Sequence, residues 1–142
     1  MNKLRVAFFD PSPEFNCVRV VCPAEGTSEE EARAAVPEGA QDVTVLTTDE
    51  MPQDRLFRAA WKLDDKKVGE CPVLGKEVAH AIRRAMRAEE FAPHDDVVAK
   101  AIPGKAEAAE AARAEIRAKH ADLQTKIDEC KNCDEMRAAL GA

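Results

Sequence analysis

Cys130-Lys-Asn-Cys133 is the sharpest chemical spacing in the chain. Two thiols three residues apart on a helix share one face, as they do in dithiol and metal sites. A structural zinc site needs four ligands, usually from two paired knuckles. The other candidates are His80, His94, His120, Cys17 and Cys22, and none forms a second pair at the spacing of a turn. A thioredoxin-type dithiol opens a helix after a strand, whereas this pair follows a long helical run. Five cysteines without a secretion signal read as reduced thiols rather than a disulfide framework. No metal and no cofactor is expected.

Other reactive residue types are scattered. His120 lies on the apolar stripe of the long helical run, and the expectation there is an imidazole at a helix interface with one nitrogen satisfied. His80 and His94 have no partner nearby in sequence. Asp64-Asp65, Glu89-Glu90 and Asp95-Asp96 are adjacent carboxylates, which point different ways on regular elements. They read as solvated faces and caps, not acid/base couples. All six glycines are isolated, so no loop is built to cradle phosphates. Without nucleophile elbow, ligand cluster or Gly-rich loop, the residues point to a non-enzymatic protein with no catalytic site.

The bulk properties narrow the partners. A chain of 142 residues suits one ordinary domain, or a small domain with a helical extension. Apolar residues make up 45% but aromatics only 4%, so the expected core is thin and helix-rich. The net charge of -6 opposes binding to a phosphate backbone. Residues 1–70 alone hold 9 Lys/Arg against 14 Asp/Glu, and no nucleic-acid partner is expected. No apolar stretch approaches the ~20 residues of a membrane span. The opening MNKLRVAFFDPSPEF has four consecutive apolar residues before Asp10, short of a signal-peptide core, so the expectation is synthesis in the cytosol.

The elements that would position these residues read as an α+β fold. LRVAFFD (4–10) and CVRVVCP (17–23) are strand-like, joined by a loose turn carrying two prolines. Thr27 or Ser28 can cap a helix, with Glu30 or Glu31 completing a capping box, and Pro37 and Gly39 stop it. DVTVLTT (42–48) makes a third strand, giving a β-β-α-β module over 1–52. Residues 53–74 read as an aromatic hinge and loop. Asp54 caps a short turn there that sets Leu56, Phe57, Ala60 and Trp61 on one side, with Phe57 and Trp61 anchoring the module. Residues 62–74 form a polar loop or short hairpin closing at Pro72. Residues 75–142 read as an antiparallel helical hairpin. Its first helix, 76–91, should end at Phe91 and Pro93, with a short helix following through Val97, Val98 and Ile102. Its second, 105–130, carries the stripe Ala109, Ala112, Ile116, His120, Leu123, Ile127, Cys130 in steps of three and four. Ala112, Ile116, Leu123 and Ile127 are the packing residues expected to meet the partner helix. Cys133 or Asp134 should cap a last turn.

The stretch VPEGAQDVTVLTTDEMPQDRLFRAAWKL resembles small virion-associated structural proteins of tailed bacteriophages. Those carry a P-x-DR-x-FR-x-AW segment, matched here by Pro52, Asp54, Arg55, Phe57, Arg58, Ala60 and Trp61. A helix similar to KEVAHAIRRAMRA, a second Ala/Glu/Arg-rich helix and a short capped turn then follow in the same order. Ala59 stands where Asn or Asp is expected, and Leu56 where Thr is usual. The resemblance shades into phage tail assembly chaperone-like proteins. It implies a non-enzymatic phage protein, assembled in the host cytoplasm, and leaves its place in the particle open. The expectation taken from it is a tail-associated component of the virion that binds other virion proteins, with thin Ala-rich modules also suited to packing on copies of itself. Arg55, Phe57, Arg58 and Trp61 are then the hinge and interaction residues. A tail assembly chaperone and a capsid decoration protein are the alternatives it leaves open.

Overall fold

Alternation of Val, Phe and Ala along the N-terminal residues produces a three-stranded antiparallel sheet. Strand β1 (Leu4–Asp10) lies at its centre, between β2 (Cys17–Val21) and β3 (Gln41–Thr47). In the register, Ala7 opposes Val20, Phe9 opposes Val18 and Arg5 opposes Leu46. Ala7, Val18, Val20 and Leu46 therefore share one face. Two further strands, β4 (Trp61–Asp64) and β5 (Lys67–Glu70), pair as a tight hairpin. Its turn places Asp65 at φ 54°, a left-handed conformation that Asp tolerates. The hairpin supplies Trp61 and Val68 to one cluster with Ala7, Val18 and Leu46.

The opposite face of the sheet carries Val6 and Phe8, both buried, and helix α1 (Glu29–Ala34), whose Ala32 is buried. Ser28 caps α1: its hydroxyl accepts from the Glu31 N–H, and the Glu31 carboxylate accepts from the Ser28 N–H. This is the capping box expected there. On the same side Arg19 lies 3.8 Å from the Phe15 ring centroid and donates to Asp10 at 2.9 Å. That contact ties down the loose turn between β1 and β2.

This computed structural model describes residues 2–142, which fall into two compact units dividing between Cys71 and Pro72. The segment 53–74 is consequently apportioned. Its larger part belongs to the first unit, because β4 and β5 pair and bury Trp61 and Val68. Pro72, Val73 and Leu74 open helix α2, where proline's fixed φ and missing N–H cost nothing.

The second unit consists of α2 (Pro72–Ala99), α3 (Ala106–Glu129) and α4 (Cys133–Leu140). Cross-helix pairs descend in order: His80 with Asp128, Glu90 with His120, Asp95 with Arg113. That order makes α2 and α3 an antiparallel hairpin. Cys133, Met136 and Leu140 of α4 are buried, and α4 packs on both long helices. The mixed strands and helices give the α+β class expected from sequence.

Two local expectations are corrected. Helix α2 does not end at Phe91 and Pro93, and no separate short helix follows it. It runs through Pro93 to Ala99. The exposed proline removes one hydrogen bond on the solvent side. The turn beyond it is retained by half-buried Val97 and Val98 and by the Asp95–Arg113 ion pair at 3.1 Å. The cap of α4 is Asn132, whose Oδ1 accepts from the Glu135 N–H at 2.9 Å, rather than Cys133 or Asp134.

Candidate functional site

The segment from Pro52 to Trp61 is shaped by one side-chain turn and one 3₁₀ turn. Asp54 Oδ1 accepts from the Leu56 N–H at 3.0 Å, and Arg58–Ala60 then wind tightly into β4. The Ala60 carbonyl accepts from the Cys71 N–H at 2.7 Å, which closes the hairpin base. This geometry sorts the side chains sharply. Phe57 and Ala60 are fully buried and Trp61 is 8% exposed, whereas Arg55 and Arg58 face solvent. Neither arginine side chain has a hydrogen bond or ion pair among the described residues. The indole N–H of Trp61 is buried and has no acceptor among the described residues.

Beside this segment lies a cleft of about 250 Å³, within the first unit. Arg5, Arg55 and Arg58 line it together with Val20, Thr48, Met51 and Trp61. Sequence reasoning placed Arg55, Arg58 and Trp61 together but missed Arg5. Its signal was available only through the register, which sets Arg5 opposite Leu46 on the face that packs against Trp61. A larger and more open cavity is lined by Asp49, Glu50, Asp64, Asp65 and Glu70 with Lys66 and Lys67. It is a shallow, mixed-charge surface.

On α3 the stripe divides by depth. Ala109, His120, Leu123 and Ile127 are buried, while Ala112 and Ile116 are half-buried. Buried His120 presents Nε2 to Glu90 Oε2 at 3.0 Å, and its Nδ1 has no partner among the described residues. Lys119 donates to the other Glu90 oxygen at 2.6 Å. These contacts, Lys119 first and His120 second, hold the Glu90 carboxyl below its ordinary value. His80, without a partner in sequence terms, meets Asp128 at 2.7 Å, while Lys76 donates to the Asp128 carbonyl in the last turn of α3. Arg83 is the least expected core residue: it is 6% exposed on the face of α2 that also buries Gly75 and Ala79.

The cysteine pair straddles the turn between α3 and α4 and does not share a helix face. Cys130 terminates α3 and Cys133 begins α4. The Cys130 thiol donates to the Lys126 carbonyl at 3.1 Å, and burial pushes its pKa up, which favours the protonated form. Cys133 is 4% exposed. No group of three or more His, Cys, Asp or Glu side chains is assembled among the described residues to hold a metal ion.

No described helix is long and apolar enough to cross a membrane. Compared with protein-family models, with curated proteins and with solved structures, the chain matches none.

Proposed function

We propose that the chain is a non-enzymatic structural component of a tailed-phage particle, tail-associated, that binds other virion proteins and copies of itself. One observation carries this reading: the likeness of Pro52, Asp54, Arg55, Phe57, Arg58, Ala60 and Trp61 to the P-x-DR-x-FR-x-AW segment of small virion proteins. The local geometry supports it. Phe57, Ala60 and Trp61 act as inward anchors, leaving Arg55 and Arg58 on the surface where a partner can reach them. Val73 and Leu74, exposed at 74% and 43%, add apolar surface at the start of α2.

Mass spectrometry of purified particles of the encoding phage tests the reading. The chain is expected among the virion proteins and in the tail fraction after heads and tails are separated. Recovery with heads would favour a capsid decoration protein. Abundance in infected cells together with absence from mature particles would sink the structural reading in favour of an assembly chaperone.

A further inference from the structure

The cleft beside Trp61 is electrostatically out of keeping with its surroundings. Residues 1–70 hold 14 acids against 9 bases, yet the described residues that line the cleft include three arginines and no carboxylate. Arg55 and Arg58 form no ion pair among the described residues, and Arg5 spends one N–H on its neighbour's carbonyl, Leu4 O at 2.7 Å. Each guanidinium offers up to five N–H donors in a planar fork suited to oxyanions. The remaining walls carry no charged residue and include Val20, Cys22, Met51, Gln53 and Trp61, with Thr48 beside them.

We propose that this cleft binds a small phosphate monoester. Three positive charges with no carboxylate among the described lining residues suit a dianion better than a single carboxylate or the single charge of a phosphodiester. The forks of Arg55 and Arg58 engage the phosphate oxygens from the open side, and Arg5 engages them from the sheet. Val20, Met51 and the face of Trp61 cover the organic body of the ester. A volume of about 250 Å³ accommodates the phosphate and one small substituent, not an extended chain. Because two of the arginines are exposed, binding weakens with ionic strength. The inference stands on the cleft alone and is independent of whether the chain resides in a virion.

The chain has one tryptophan and no tyrosine, so a single indole N–H cross-peak and the intrinsic emission both report on this wall. The intact chain is titrated at low salt with inorganic phosphate, phenyl phosphate and benzoate, following the indole cross-peak and the arginine Nε–H signals. Phenyl phosphate is expected to saturate both sets of signals, with inorganic phosphate weaker and benzoate weakest. Arg55→Gln and Arg58→Gln are each expected to weaken phenyl phosphate by about tenfold, the scale of one charge-assisted contact. Arg84→Gln, on an exposed site of the helical unit, is expected to change nothing. Equal affinity for benzoate and phenyl phosphate would overturn the preference for a dianion. Failure of any anion to shift the indole signal, or unchanged binding in both arginine variants, would overturn the site. The comparison of ligands on the unmodified chain decides the matter even if a variant folds poorly.

Discussion

Glu90 of α2 accepts from His120 of α3 at 3.0 Å while His120 is only 1% exposed, so one side of a helix interface rests on a polar pair. Lys119 takes the second carboxylate oxygen, and together they lower the Glu90 pKa from 4.5. A carboxyl whose folded pKa is depressed contributes stability above its unfolded value and loses it as pH falls through the folded value. The helical unit is therefore expected to weaken in urea unfolding as pH drops below 4.5. Glu90→Gln should flatten that dependence, although the lowered pKa of exposed Glu110 leaves a small residue of it. An identical acid profile in the variant would show the pair to be energetically idle.

Trp61→Ala removes the largest side chain from the cluster of Ala7, Val18, Leu46 and Val68. Deletion of a core aromatic costs about 3–5 kcal/mol, comparable with the whole stability of a small unit. Chemical denaturation followed by backbone amide signals of residues 4–47 should show that unit losing its cooperative transition. Trp61→Phe should retain it at reduced stability. An unchanged midpoint in the alanine variant would mean the indole contributes nothing to the sheet.

The alanines of α3 set how closely α2 approaches. Ala109 is buried, Ala112 is half-buried and Ala118 is exposed. Ala109→Leu should overpack the interface at a cost of about 1–3 kcal/mol, and Ala118→Leu should be nearly neutral because both residues favour helix. Ala112→Leu should fall between. Thermal melts that reversed this order would move the interface to another face.

The thiols should differ in reactivity despite their closeness in sequence. Cys22 is exposed, Cys130 is half-buried with a raised pKa, and Cys133 is 4% exposed. Alkylation of the native chain at neutral pH should label Cys22 first and Cys133 last, the latter only as fast as local opening allows. Early labelling of Cys133 would show that α4 detaches readily.

Local signals in the sequence located most elements because each is decided by neighbours. Ser28 with Glu31 marks the start of α1, and the three-four spacing from Ala109 to Ile127 marks the inner face of α3. Pro93 misled because a helix-breaking residue on a solvent face is tolerated when later residues pack, and Val97 and Val98 pack only in three dimensions. Arg5 was invisible as part of the cleft since 50 residues separate it from Arg55, and only the β1–β3 register brings that face to Trp61. His80 and Asp128 are likewise separated by 48 residues. Buried Arg83 runs against its residue type, for which burial is rare.

Placing β1 between β2 and β3 has a consequence for the order of assembly. The N-terminal strand can meet β2 across a short turn, but its other edge waits for residues 41–47. On a ribosome the first hairpin therefore emerges with an open edge, and Trp61, arriving later still, covers the face that bears Ala7. The helices after Pro72 are wound by hydrogen bonds between residues four apart and need no such delay to form, although ties across the hairpin such as His80–Asp128 span 48 residues. Stopped-flow refolding should accordingly resolve a fast helical phase and a slower phase reported by Trp61 emission, even though the slower segment is synthesised first.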